Sequence, residues 1–207
     1  LGAATVCSFT RFASLCLQNA SSSLGLLLEE LHAKLAAGSQ LVGLDINPAA
    51  LALGEAAANK GIKLIQHDIN DPLPEDLKNK FDIVHVRFTM YGSGRTGLEA
   101  VVKNLASALK SGGWLQVQEH SMTAGHGNSG PAINEYISYF DGLVQKMGMN
   151  PSFCESLKPS FEAAGLSDVS LAISDTRFGK GAIDEAESLE VFTQWVPVLG
   201  QYGKSKD

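Results

Sequence analysis

Apolar residues recur along the chain in two rhythms. Short runs of Val, Ile and Leu, closed by polar or turn residues, alternate with stretches in which apolar positions return every three or four residues. LVGLDI at 41–46 predicts a buried strand, IKLIQH at 62–67 a second, FDIVHVRF at 81–88 a third and WLQVQE at 114–119 a fourth. Between the first two, 48–59 predicts a helix: Asn47 can cap it, Pro48 suits its first turn, alanines fill it, and Lys60-Gly61 ends it. Residues 96–109 predict another, with Leu98, Val101, Val102, Leu105 and Leu109 on one face and Ser111-Gly112-Gly113 as its breaker. Such alternation predicts an α/β fold: a Rossmann-like, mostly parallel sheet with helices on both faces and right-handed crossovers. Upstream, 24–37 predicts an amphipathic helix ended by Gly38, and 12–17 is the remaining strand candidate before it. Downstream, 132–147 predicts a helix with Ile133, Tyr136, Ile137, Phe140, Leu143, Val144 and Met147 aligned. Then come a helix at 156–164, stopped by Gly165, a strand at 169–173 and a helix at 185–199.

At 207 residues the chain is read as one domain, 1–207. The net charge of -6, without any block of like charge, argues against a nucleic-acid or anionic-membrane partner. Three cysteines, Cys7, Cys16 and Cys154, form no CxxC pair; they read as reduced thiols, which fits a cytoplasmic protein. Asn19-Ala20-Ser21 spells a glycosylation sequon with no other sign of secretion beside it. No apolar run approaches the ~18 residues a membrane span needs. The chain starts at Leu1 rather than methionine, as a fragment would.

Polar groups stand where three strands end: Asp45, then His67-Asp68, then Glu119-His120. Open parallel sheets bind ligands at the carboxyl ends of their strands, and an acidic side chain there can accept hydrogen bonds from ribose hydroxyls. A single aspartate could equally be a solvated strand end. Two in consecutive strands of one βαβ unit favour a nucleoside. Arg87 reads either as one half of a salt bridge or as a partner for a ligand carboxylate. His120 is a candidate base, with a histidine satisfied by loop backbone as the alternative. His32 and His85 read as structural, and His126 as exposed in a Gly-rich loop. No zinc spacing, GxSxG or GxxxxGK[ST] motif occurs. Tyr202 and Lys206 form a YxxxK spacing outside any strand–helix frame.

VGLDINP, HDINDPLP, FDIVHVRF and LKSGGWLQVQE follow one another at spacings that resemble the class I S-adenosylmethionine-dependent methyltransferases, most of all the small-molecule branch common in fungal secondary metabolism. The resemblance runs from about residue 24 to 173. It implies S-adenosyl-L-methionine as cofactor and methyl transfer to an O or N atom of a small molecule. It places Asp45 on the two ribose hydroxyls and Ile46 near adenine. Asp68 would accept from the adenine amino group, Ile69 would cover the ring, and Arg87 and Phe88 would lie beside the methionine part. Glu119 and His120 would face the substrate, with His120 as catalytic base. Residues 121–157 would be a substrate cover bearing Tyr136, Tyr139 and Phe140.

The family's glycine-rich loop is missing. LCLQNASSSLG at 15–25 has one glycine and no acidic residue, where backbone must approach a cofactor closely. Either cofactor binding is lost, or residues 1–23 are an atypical segment that did not evolve with the rest; the abrupt onset of family-like pattern at Leu24 favours the second. The rival functions are a cofactor-dead scaffold protein and an NAD(P)-dependent oxidoreductase on a related fold.

Overall fold

The computed structural model describes residues 13–18, 28, 31–48, 62–121, 131–146, 148, 150–174 and 186. Five strands form one sheet: β1 (Ala13–Gln18), β2 (Gln40–Asp45), β3 (Lys63–Gln66), β4 (Phe81–Arg87) and β5 (Leu109–Gln118). Their order is β3-β2-β1-β4-β5 and every neighbouring pair is parallel. This is the Rossmann-like α/β arrangement that the alternating pattern predicts. The chain reverses its direction of winding between β1 and β4, where Gln18 lies opposite Arg87. Such a switch point opens a crevice at the carboxyl ends of the strands.

Burial follows strand position. β2, one place in from the edge, is buried from Leu41 through Asp45. In β4, Phe81, Val84 and Val86 are buried. Along the outer strand β5, exposed positions alternate with partly buried ones from Gly113 on, and Trp114 stands 65% exposed. Helix α1 (Leu98–Ala106) covers one face with Val101, Val102 and Leu105. Helix α3 (Phe153–Ala163) adds the fully buried Phe153, with Leu157 and Phe161 packed against the same core. Helix α2 (Pro131–Lys146) lies between them in sequence. A smaller cluster of Leu28, Leu41 and Ile62 sits apart, with Leu31 and Leu35 against it.

The pattern-based boundaries shift at particular residues. The predicted helix at 96–109 shortens at both ends. Gly97 has a φ of +89°, outside helical space, and Asn79 and Lys80 donate to the carbonyls of Ser107 and Ala108, drawing the chain into the sheet. β5 accordingly starts at Leu109, five residues before the predicted Trp114. Phe81 pairs with Leu109 but Ile83 with Trp114, so residues 110–113 bulge out. Gly113 makes this possible: a Cβ there would lie 3.1 Å from the carbonyl oxygens of Phe81, Asp82 and Lys110. The strand predicted at 169–173 is absent. Residues 169–174 have no regular structure, with Leu171 62% and Ile173 84% exposed. Its alternating pattern finds no ladder partner among the described residues, and apolar alternation without a partner strand cannot hold an extended segment. The helix predicted from 156 begins three residues earlier, because Phe153 anchors it in the core.

The helices predicted at 24–37 and 48–59 fall largely outside the described residues, with 28, 31–34 and 48 helical. The helix at 185–199, the loop with His126 and the YxxxK pair also lie outside them, apart from a helical Ala186. Among the described residues no helix is long and apolar enough to cross a membrane.

Leu105→Ala should lower unfolding free energy by about 2–5 kcal/mol, as for fully buried leucines generally. Leu171→Ala should change it by less than about 0.5 kcal/mol. Urea titrations of the two variants check the contrast.

Candidate functional site

Because the strands run parallel, their last residues gather along one rim of the sheet. Asp45 closes β2 and is buried, 4% exposed. Its Oδ1 accepts from the Asn47 backbone N–H at 2.8 Å, an Asx turn that starts the segment at Pro48. Burial pushes its carboxyl above the usual aspartate range, against the opposing backbone donors of Asn47 and Ile46. Ile46 has left the strand and is 48% exposed beside it. On the neighbouring strand, the His67 N–H donates to the Asp45 carbonyl at 2.9 Å, which carries the chain into Asp68.

Asp68 sits in a polar network that the sequence pattern did not reveal. Its Oδ1 accepts from both the backbone and the side-chain N–H of Asn70, each at 2.8 Å. Its Oδ2 lies 3.2 Å from Arg95, which also reaches Asp71 at 2.6 Å. Burial alone would raise the Asp68 carboxyl; the Asn70 bonds and the charges of Arg95 and His67 hold it below the usual range. Asn70 in turn donates to the Gly92 carbonyl at 2.8 Å and accepts from Thr96 N and Oγ1. Ile69 packs into the core, 6% exposed. The Asp-x-Asn spacing at 68–70 was the available signal, since Asx side chains bond the backbone two residues on. Arg95 carried none.

Two clusters form at the ends of β4 and β5. In the first, the Arg87 guanidinium lies 4.9 Å over the Phe88 ring, and Phe88 meets His120 with ring centroids 4.4 Å apart. Phe88 adopts a φ of +52°, a left-handed conformation unusual for a residue with a side chain. Its N–H donates to the Gln118 carbonyl at 3.1 Å, which holds it there. Burial, then the Arg87 charge, lowers the His120 imidazole below its ordinary value, so the ring is neutral at neutral pH. His85, inside β4, pairs its Nδ1 with Gln116 across the ladder at 3.0 Å, the structural role expected of it.

The second cluster centres on Glu119. Its Oε1 accepts from the backbone N–H groups of Thr89 at 2.6 Å and Met90 at 2.7 Å. These open the 3-10 helix Met90–Arg95. Glu119 is thus turned into the protein, and its Oε2 is buried with no partner among the described residues. Burial pushes the carboxyl up to about 7 despite the two N–H donors. Cys154 lies close enough for the Glu119 charge to act on it. Its thiol is pushed up to about 11 by burial first, then by Glu119 and Glu155. Around this cluster, Tyr91 donates from its hydroxyl to the His120 carbonyl at 2.9 Å. Its ring sits edge-on to Phe153 at 4.6 Å and to Phe140 at 5.9 Å. Tyr136 stacks near Phe140 at 6.4 Å, and Tyr139 is 45% exposed on the same helix. Arg87 Nε and His67 Nε2 are also buried without partners among the described residues. No group of His, Cys, Asp and Glu there could hold a metal ion.

The model of the methyltransferase domain family matches residues 21–113, which take in β2, β3, β4, α1 and the start of β5. Over this stretch, less than half of the chain, it is similar to methyltransferase domains. The match begins at residue 21, downstream of β1 and within the glycine-poor segment. Among similar proteins, methyltransferase psoC of Aspergillus fumigatus is 30% identical over 139 residues, 67% of this chain and 51% of that protein. N-methyltransferase sirN of Leptosphaeria maculans is 33% identical over 111 residues, 53% of this chain and 38% of that one. The chain therefore spans about half the length of psoC and less of sirN. Two solved structures share the fold. YcgJ of Bacillus subtilis superposes with a TM-score of 0.52 at 14% identity, over 75% of this chain and 62% of that one. The cyclase SpnF gives 0.52 at 18% identity, over 74% and 50%.

Glu119 has a pH signature. Its carboxyl moves from an ordinary 4.5 up to about 7 on folding, so the native state binds this proton more tightly than the unfolded chain. Its contribution is full below the ordinary value and is lost as pH rises through about 7. Wild type should lose stability across that window more steeply than Glu119→Gln, in denaturant titrations on either side of it.

Proposed function

We propose that this chain binds S-adenosylmethionine along the rim of its sheet and transfers the methyl group to a nitrogen or oxygen atom of a small, largely apolar acceptor. The observation that carries the reading is the alignment of Asp45, Asp68, Arg87 and His120 along the ends of parallel strands on either side of one switch point, in a chain similar to methyltransferase domains over residues 21–113. The relatives named above are methyltransferases, one of them an N-methyltransferase, which supports the reaction class.

The residues present fit the cofactor. Asp45 offers a carboxylate to a ribose diol, with exposed Ile46 beside it to meet the adenine. Asp68 takes three donors, and a carboxylate has about four acceptor positions, so one remains for an exocyclic amine. Arg87 Nε is a buried donor lacking an acceptor among the described residues, suited to a carboxylate. When bound, S-adenosylmethionine supplies an electrophilic methyl carbon whose bond to sulfur breaks, the electron pair staying on sulfur. The protein's part is alignment, exclusion of water and removal of the acceptor's proton. Neutral His120 can take that proton. The aromatic wall of Tyr91, Phe140 and Tyr136 suits an acceptor with an apolar or aromatic body.

A second reading, a cofactor-dead scaffold, draws on the glycine-poor segment at 15–25. Calorimetry with S-adenosylhomocysteine separates the two. Binding that weakens by ~1–3 kcal/mol in Asp45→Ala, for hydrogen bonds to a charged acceptor, supports the first. No heat and no thermal stabilisation supports the scaffold. NAD binding without S-adenosylhomocysteine binding would replace both with an oxidoreductase. If His120 is the base, kcat/KM should fall on the acid side through a pKa below the ordinary 6.5, since protonation removes the acceptor lone pair. That limb should vanish in His120→Ala; a persisting limb assigns the base elsewhere.

A further inference from the structure

The 3-10 helix Met90–Arg95 connects regions that the sheet keeps apart. β3 and β5 are the two outer strands in the order β3-β2-β1-β4-β5. Yet this one helix is bonded at its start to Glu119, just past β5, and along its length to the residues just past β3. Glu119 Oε1 holds the N–H groups of Thr89 and Met90. Gly92 accepts from Asn70, Arg95 reaches Asp68 and Asp71, and Thr96, the next residue, donates twice to Asn70. Asn70 in turn fixes Asp68 Oδ1. Met90 and Ser93 are buried, so the helix is seated in the core.

We propose that Glu119 is a positioning residue: by clamping the start of this helix it sets the placement of Asn70 and Asp68, and so couples the acceptor side of the site to the adenosine side. The part concerning adenosine rests on the function proposed above; the mechanical coupling does not. The inward turn of Glu119 fits this role, since both oxygens are enclosed by protein. One holds two backbone donors and the other meets no donor among the described residues. From α3 the Cys154 thiol lies within reach of its charge and bonds to the next residue's carbonyl, that of His120, at 3.7 Å, and at the start of the helix the Thr89 and Met90 N–H groups bond to it.

The test uses isotope-labelled whole chain without ligand, then with S-adenosylhomocysteine. Glu119→Ala removes the clamp. Glu119→Gln keeps an oxygen in place to accept both bonds and serves as the conservative rescue. In Glu119→Ala, amide exchange should rise at Thr89 and Met90, and also at Gly92 and Thr96, and the Asn70 side-chain amide resonances should move. S-adenosylhomocysteine affinity should fall about five-fold or more, the lower end of ordinary coupling between sites. Glu119→Gln should restore all of these. Effects confined to Thr89 and Met90, with Asn70 unmoved, would overturn the coupling. A Glu119→Gln variant as impaired as Glu119→Ala would also overturn it.

Should Glu119→Ala fail to fold, Asn70→Ala probes the same link from the other end. Reciprocity requires it to raise exchange at Thr89 and Met90; unchanged exchange there overturns the proposal. Wild type that does not bind S-adenosylhomocysteine removes the proposed cofactor, while the exchange and resonance results still decide the coupling.

Discussion

A parallel sheet imposes one constraint on everything else here: each crossover must return the chain to the same starting edge, so every strand delivers its last residue to the same rim. Residues far apart in sequence are therefore set along one edge, Asp45 and Asp68 after the adjacent strands β2 and β3, Arg87 and His120 at the ends of β4 and β5, with β1 between the two pairs. The winding reverses between β1 and β4, and ligands of open α/β sheets bind at such a point. The polar groups cost little to place there, because strand ends adjoin turns with spare N–H donors. Asp45 and Asp68 each take one from the residue two positions on. Deeper in a strand the same carboxylates would face only backbone already committed to the ladder.

The strands were legible because their apolar runs are long and end on polar residues. β2, β3 and β4 begin and end within one residue of the pattern. β5 was not, because the Ser111-Gly112-Gly113 turn reads as a break between elements, whereas the ladder runs through it as a bulge that Gly113 makes room for. The segment at 169–173 failed for the opposite reason. Its alternation is real, but pairing is a property of two strands and cannot be read from one. For the candidate site, residue types at strand ends pointed to the rim where the parallel strands finish. What the sequence could not convey was direction. Ile69 turns into the core, and Glu119 turns away from the rim toward the Thr89–Met90 backbone. One residue of register reverses a side chain's face, and a positive φ at Phe88 displaces the frame again.

Fold alone does not choose the chemistry. A cyclase and this chain share the fold, and the difference between such proteins lies in the side chains of their sites. The glycine-poor stretch before residue 25 bears on this most directly. A left-handed or crowded backbone position occupied by Asn or Ser rather than Gly costs about 1–2 kcal/mol. That is a roughly ten-fold weakening of a ligand rather than its abolition. Loss of one glycine position would thus reduce affinity without excluding the cofactor. Several such positions together would bring it near the limit of useful binding.

The coupling through the Met90–Arg95 helix depends on which of its bonds transmit force. Arg95 makes the most visible contacts, but its side chain is more than half exposed and its pairs with Asp68 and Asp71 are screened by salt and by water. Asn70 is different. Its amide is shared among Asp68, the Gly92 carbonyl and the Thr96 N–H and hydroxyl, and replacing it would take a donor from the part-buried Asp68 and Gly92 acceptors, at up to about 1–3 kcal/mol for each one left unpaired. A neutral amide is also insensitive to ionic strength. High salt should therefore loosen the Arg95 arm and leave the helix in register, because the Asn70 bonds and the Glu119 clamp fix it at both ends.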